Sequence, residues 1–246
     1  MSYDIRFYRN MKPGKDLVPF KVAIKETDLL IMVDKESYRD ELVKLAEELV
    51  WKKRKELEHF ISKEPEFKTT MNPYFISSRA PDIAVLMARA GNQAGAGPMA
   101  AVAGAFAEAV GKELLKSVEE VIVENGGDIF MKIKKVRKVS IFCADSPFSN
   151  RLAIEISPEE TPAGVCTSSG IVGPSYSEGK ADAVVVVSSS TLLADAVATA
   201  VGNMVKCKED VEEVLEKSKD IKGIKGILIV KDDKLGAWGK IKVVPQ

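Results

Sequence analysis

The chain has 246 residues, and its 36 Lys and Arg side chains equal its 36 Asp and Glu side chains in number. This neutral balance argues against bulk electrostatic binding to nucleic acid or to an anionic membrane. No charge-free apolar stretch approaches the roughly 20 residues of a membrane helix, and no signal-peptide pattern opens the chain. Three scattered cysteines and a single histidine, His59, exclude a disulfide framework and a multi-histidine metal site. We therefore expect a reduced, cytoplasmic protein without a nucleic-acid or membrane partner.

Hydrophobic periodicity predicts the elements of the chain in order. The predicted strands are Tyr3–Tyr8, Phe20–Ile24, Leu29–Val33, Val121–Val123, Ile129–Ile133, Lys138–Phe142, Leu152–Ile156, Ala183–Val187, Gly226–Lys231 and Ala237–Val243. The predicted helices are Glu36 to about Ile61, Pro81 to about Ala90, Met99–Leu115, a helix around Asp195, and about Glu209 to Lys217. The predicted connections include a turn at Thr27 and Asp28, a glycine-rich loop over Gly91–Pro98, and a turn at Asp232 and Asp233.

The order of these elements predicts an α+β fold with mixed, mainly antiparallel sheets and packed helices, because strands and helices do not alternate simply. We expect one domain over residues 1–246, with two interleaved lobes (about 1–150 and 151–246) as an alternative. Each half contains a small-residue helix followed by strand, turn and strand, as after Ala101 and after Ala194. An internal duplication and a chance similarity both remain open at this point.

The helix around Asp195 is the most informative stretch, because it is apolar almost all round and carries one acid. Thr199 lies four residues later and therefore on the same helix face. A carboxylate and a hydroxyl offer hard oxygen ligands to a cation such as Mg²⁺. The alternative is an ordinary acid near the helix N-terminus, bonded to backbone amides.

Two polar segments could bind a phosphate-bearing ligand. In Gly126-Gly127-Asp128, after Asn125, the glycines fit a tight hairpin turn, and exposed turn amides can also bind phosphate. We read Cys166-Thr167-Ser168-Ser169-Gly170 as a loop whose hydroxyls and amides suit an anion. A second polar run contains Ser175 and Ser177. An ordinary surface loop of this composition is the alternative.

Cys166 is the cysteine in such a loop, whereas Cys143 ends a predicted strand and Cys207 lies between two lysines. Loop amides that lower its pKa would make Cys166 a nucleophile or sulfur acceptor. A small filler residue is an equally good interpretation, because no histidine stands beside it.

The order of these motifs resembles the ApbE superfamily, the FAD:protein FMN transferases once called thiamine biosynthesis lipoproteins. The resemblance rests on the small-residue helix, the Asn-Gly-Gly-Asp turn, the Thr-Ser-Ser-Gly segment and the Leu-Ala-Asp-Ala-x-Ala-Thr-Ala helix, within about residues 91 to 205. It extends to Arg6–Arg9 and Lys25–Asp28, which resemble a short archaeal and anaerobe branch. It implies an α+β fold, FAD or FMN as ligand, and Mg²⁺ bound by Asp195 and Thr199.

The chain also departs from the superfamily pattern. The His-x-x-Asp-Pro segment expected after Gly170 is absent, and Ala103 stands where a lysine is expected before Gly104. We therefore expect a pocket for a phosphate-bearing ligand without FMN transfer, in a homodimer. One alternative is a sulfur-relay protein acting through Cys166, because the branch is associated with sulfide assimilation toward homocysteine and cysteine. The other is a partner-binding protein with a vestigial site.

Overall fold

The computed structural model describes residue 14 and residues 16–77, 79–143, 146–170 and 179–246. The helices in these ranges are α1 (Glu41–Lys63), α2 (Glu66–Thr69), α3 (Asp82–Ala94), α4 (Val102–Leu114), α5 (Thr191–Met204) and α6 (Asp210–Ser218). The strands are β1 (Leu17–Ile24), β2 (Thr27–Asp34), β3 (Val121–Asn125), β4 (Asp128–Lys132), β5 (Arg137–Ser140), β6 (Leu152–Ile156), β7 (Ala163–Ser168), β8 (Ala183–Ser188), β9 (Ile224–Lys231), β10 (Lys234–Gly239) and β11 (Lys242–Pro245).

Eight strands form one sheet in the order β1-β2-β3-β4-β7-β8-β9-β10, and every neighbouring pair is antiparallel. A second sheet has the order β11-β6-β5 and is also antiparallel. This architecture confirms the predicted α+β class with mainly antiparallel sheets and packed helices.

The large sheet contains the same topology twice. β1 to β4 form a four-stranded meander with helices inserted between its second and third strands, and β7 to β10 repeat this arrangement with α5 and α6 inserted. The two meanders join where β4 pairs with β7. The repetition supports the duplication that the sequence left open, and it brings the small-residue helices α4 and α5 together on one face.

The buried strand β8 shows why the sheet has two apolar faces. Val184 and Val186 belong to the core beneath the helices, whereas Val185 and Val187 belong to the core beneath the small sheet. Side chains alternate between the faces of a strand, so a strand between two cores is continuously apolar.

Several predicted boundaries are wrong, and each has a local reason. α3 runs through Gly91 to Ala94, so the glycine-rich loop begins only at Gly95, whose φ of 73° ends the helix. The first hairpin turns at Lys25 and Glu26, with Lys25 at φ 51°, not at Thr27 and Asp28. The predicted helix Met99–Leu115 begins as a 3₁₀ turn over Pro98–Ala101 before α4.

The predicted last strand Ala237–Val243 is two strands. β10 ends at Gly239, with φ 84°, and β11 pairs with β6 in the small sheet. The predicted turn at Asp232 and Asp233 is correct, since Lys231 pairs with Lys234 across it. The predicted strand Tyr3–Tyr8 lies outside the described residues. Within the described part of the chain, no helix combines the length and the apolar character needed to cross a bilayer.

Candidate functional site

The first turns of α4 and α5 cross at very short distance. A Cβ atom on Gly104 would lie 2.5 Å from the carbonyl oxygen of Thr191 and 2.9 Å from the Cβ of Asp195. Only glycine allows this approach, which places the N-terminal turn of each helix beside an acidic side chain of the other.

The two helices exchange acidic side chains at their N-termini. The Gly104 N–H donates to Asp195 Oδ2 at 2.7 Å, and the Thr191 N–H donates to Glu108 Oε2 at 2.6 Å. Neither acid is on the helix that it caps, so these bonds join α4 to α5. Both carboxylates interact favourably with the positive end of the facing helix dipole.

Sequence reasoning missed Glu108, although the same signal was present. It is the one acid in the apolar stretch from Val102 to Gly111 of α4, as Asp195 is the one acid in α5. Glu108 is 6% exposed, and Lys112 Nζ donates to its second oxygen at 2.5 Å. Glu108 therefore has an exposed cation and a helix N-terminus as partners, which explains its burial without a ligand.

The turn between β3 and β4 lies against the same helix end. Gly126 and Gly127 have φ of 71° and 111°, as expected from the sequence for a tight two-residue turn. The Asn125 side-chain amide donates to the Ala103 carbonyl at 3.1 Å, and the Thr167 N–H donates to the Gly127 carbonyl at 3.2 Å. These bonds place the turn between the start of α4 and the end of β7.

Asp128 and Asp195 flank the thiol of Cys166. Asp128 is opposite Cys166 in the β4–β7 ladder, its carboxylate is within hydrogen-bonding reach of the thiol, and Cys166 Sγ lies 3.4 Å from the Thr191 carbonyl oxygen. Burial and the charge of Asp128 raise the pKa of Asp195 well above its usual range, against the lowering effect of the Gly104 and Ala103 amides. Two acids, one from each repeat, therefore interact electrostatically around one buried thiol.

The remaining predicted residues extend from this point along α5. Thr199 is half-buried one turn beyond Asp195, and the side chain of Ser168 lies near Gly202 in the last turn of α5. Gly170 packs against Gly179, which itself packs against Gly202. Ser169, like Thr167 and Ser168, is half-buried. Ser175 and Ser177 lie outside the described residues.

The interpretation of Cys166 as a loop thiol needs correction. β7 extends to Ser168, so Cys166, Thr167 and Ser168 are strand residues. Their amides lie within the sheet, because β7 pairs with β4 on one side and with β8 on the other. Cys166 is fully buried, and burial together with the charges of Asp128 and Asp195 raises the pKa of its thiol. The low thiol pKa on which the sulfur-relay alternative depended is therefore not expected at Cys166.

The side chains near Asp195 limit how a metal ion could be coordinated there. Among the described residues, no group of three or more His, Cys, Asp or Glu side chains is placed to hold a metal ion. A cation beside Asp195 would need further ligands from hydroxyls, backbone carbonyls, water or the bound molecule. Mg²⁺ is commonly held in this way, by one or two carboxylates together with phosphate oxygens and waters.

The family model described as AbpE bacteria matches residues 9–234. The chain belongs to this family. It is 42% identical to a UPF0280 protein of Methanocaldococcus jannaschii over 226 residues, which cover 90% of each chain. It is 38% identical to a UPF0280 protein of Methanosarcina acetivorans, over 96% of this chain and 93% of the relative.

Two solved structures share the fold. The flavin transferase ApbE from Vibrio cholerae matches 90% of this chain and 96% of its own, with a TM-score of 0.56 and 14% identity. The ApbE protein from Thermotoga maritima matches 89% and 96%, with a TM-score of 0.55 and 12% identity. The chain is thus an ApbE-like protein, as its motifs had indicated.

Proposed function

We propose that this protein binds a flavin nucleotide, or a similar phosphate-bearing molecule, beside Asp195, with Mg²⁺ joining the phosphate to the protein. The observation that carries this proposal is the convergence of the Gly126–Gly127 turn, the N-terminal turn of α4 and the Asp195 carboxylate. The shared fold with a protein named a flavin transferase supports the choice of flavin among phosphate-bearing ligands.

The charge of the site favours a cation as part of the complex. Asp128 and Asp195 would repel an approaching phosphate, whereas turn amides would attract it. A divalent cation between the phosphate and these acids would offset the repulsion between their negative charges, and carboxylate oxygens are the ligands that Mg²⁺ prefers. Asp195 would bind the cation, Thr199 would add a hydroxyl from the same helix face, and the Gly126 amide would bind a phosphate oxygen. The Gly127 N–H already donates to Glu124 Oε1 at 3.2 Å.

We further propose that binding is not followed by transfer of FMN to an acceptor. The single histidine of the chain, His59, is exposed on α1, so no imidazole is available at the candidate site to accept a proton. Ala103 brings no amino group to the start of α4. Asp128 and Asp195 are acids at the site that could move a proton, and the proposal assigns Asp195 to the cation.

Flavin binding can be measured by quenching of FAD fluorescence with and without Mg²⁺. We expect saturable binding that weakens when Mg²⁺ is removed, and an Asp195→Asn variant should bind about tenfold or more weakly. Asp34→Asn is the matched control, because Asp34 is also a buried acid bonded to amides but lies at the other end of β3. If FAD does not bind the wild-type protein, the choice of flavin as the ligand is wrong. If FMN and inorganic pyrophosphate also fail to bind in the presence of Mg²⁺, the proposal as a whole is wrong and the partner-binding alternative gains support.

Transfer is tested separately. The purified protein is incubated with FAD, Mg²⁺ and a threonine-containing acceptor peptide, and the peptide mass is measured. We expect no mass increase corresponding to FMN, with an active ApbE transferase as the positive control. Efficient flavinylation by this protein would disprove the second proposal and leave the first intact.

A further inference from the structure

The acid pair of the candidate site joins the two halves of the large sheet. Asp128 is the first residue of β4, in the first meander, whereas Asp195 lies on α5, which is inserted in the second. Ladder pairing holds Asp128 opposite Cys166, and the Cys166 thiol contacts the Thr191 carbonyl at the start of α5. Cys166 therefore connects the strand that carries Asp128 to the start of the helix that carries Asp195.

Thr199 and Asp128 differ as candidates for the second cation ligand. Thr199 is four residues from Asp195, a rise of about 6 Å along α5, and it lies toward the end of the helix that Ser168 approaches. Asp128 reaches the site from the facing strand and carries a charge, so it adds more to the binding of a divalent cation than a hydroxyl does.

Backbone anchors hold Asp128 in this position. The Asn125 side chain bonds to the Ala103 carbonyl, and the Thr167 N–H bonds to the Gly127 carbonyl, on either side of the residues that precede Asp128. Asp128 and Asp195 are both buried, each with 8% of its surface exposed. Two buried carboxylates anchored in this way suit Mg²⁺, which takes water and phosphate oxygens as its remaining ligands.

We propose that Asp128 is the second protein carboxylate of the cation site that the proposed function assigns to Asp195. The inference rests on that proposed function. One cation then contacts both repeats, β4 from the first and α5 from the second, and the affinity for the cation depends on the two acids together. The phosphate-bearing ligand and water complete the coordination of the metal.

The test measures binding of Mn²⁺ to the full chain. Free Mn²⁺ is quantified by its electron paramagnetic resonance signal, first without FAD and then with FAD present. The variants are Asp128→Asn, Asp195→Asn and Thr199→Val. Glu108→Gln is the matched control, because it removes a neighbouring buried acid that contacts the start of α5 and not the proposed cation. Thermal unfolding and circular dichroism establish that each variant is folded.

We expect Asp128→Asn and Asp195→Asn each to weaken Mn²⁺ binding about tenfold or more. Thr199→Val should weaken Mn²⁺ binding less than Asp128→Asn does. The control Glu108→Gln should change Mn²⁺ affinity by at most about threefold. Wild-type affinity in a folded Asp128→Asn protein, with weak binding in Asp195→Asn, would overturn the inference and leave the proposed function standing. Absence of Mn²⁺ binding by the wild-type protein, with and without FAD, would overturn both.

Discussion

Replacing Gly104 with alanine tests the contact on which the site depends. The new Cβ atom would lie 2.5 Å from the Thr191 carbonyl oxygen, whereas ordinary contact begins at 3.4 Å, so α4 and α5 must separate by about 0.9 Å. That separation also stretches the buried bond from the Gly104 N–H to Asp195. The clash involves backbone, which cannot rotate away as a flexible side chain can.

The cost of this substitution follows from three contributions. Overpacking a tight interface costs about 1–3 kcal/mol, and loss of a buried hydrogen bond to a carboxylate costs about 1.5–3 kcal/mol. The higher helix propensity of alanine returns about 1 kcal/mol. We expect a net loss of about 1.5–5 kcal/mol in the free energy of unfolding, or about 3–20 °C in Tm for a chain of this size.

The assay is urea and thermal denaturation of Gly104→Ala beside Gly202→Ala. Gly202 is a matched control within α5, because the nearest atom to its added Cβ would be Ser168 Oγ at an ordinary 3.5 Å. Gly202→Ala should leave stability unchanged or raise it by up to about 1 kcal/mol. A Gly104→Ala protein as stable as Gly202→Ala would refute the close crossing of the two helices.

Three further predictions concern other residues. Burial raises the pKa of Asp34, but hydrogen bonds from three backbone amides outweigh burial and lower it below its ordinary value. The Asp34 carboxylate therefore stabilises the folded state above the pKa that it has in the unfolded chain, and this stabilisation is lost as pH falls through the lower pKa of the folded state. Asp34→Ala should therefore cost about 3 kcal/mol at pH 7 and much less in acid, as pH-dependent urea titrations can show. Native-state alkylation followed by peptide mass mapping should modify the exposed Cys207 well before the buried Cys166, and the opposite order would revive the sulfur-relay alternative. The Thr191 hydroxyl is buried without a hydrogen-bond partner, so Thr191→Val should leave stability unchanged or raise it by about 1 kcal/mol in thermal unfolding, and a clear loss would show that the hydroxyl has a partner.

The sequence predicted those parts of the fold that depend on local pattern. The glycine pair at Gly126 and Gly127 requires a two-residue turn whatever surrounds it, and β6 was placed correctly because its apolar residues are bounded by clear breaks. β7 was not predicted as a strand, because Cys166 to Gly170 was read as a loop from its polar residues, although Thr167 and Ser168 lie in a ladder with β8. Tertiary pairing, which no local pattern records, decided that case.

The site was predicted in its composition but not in its internal contacts. Asp195 and Asp128 were both selected from the sequence, but their shared position beside Cys166 depends on the pairing of β4 with β7. The exchange of Glu108 and Asp195 between α4 and α5 depends on the crossing at Gly104. Such contacts join residues more than 80 positions apart, so single-sequence periodicity could not reveal them.

The most direct test of the proposed site is the position of a bound cation. Crystals grown with Mn²⁺ and FAD would show the metal by its anomalous scattering. We predict a single strong anomalous-difference peak within coordination distance of an Asp195 carboxylate oxygen. The flavin pyrophosphate should lie beside this peak, next to the Gly126–Gly127 turn. A pyrophosphate bound elsewhere, with Asp195 bonded to Gly104 and no metal beside it, would contradict the account.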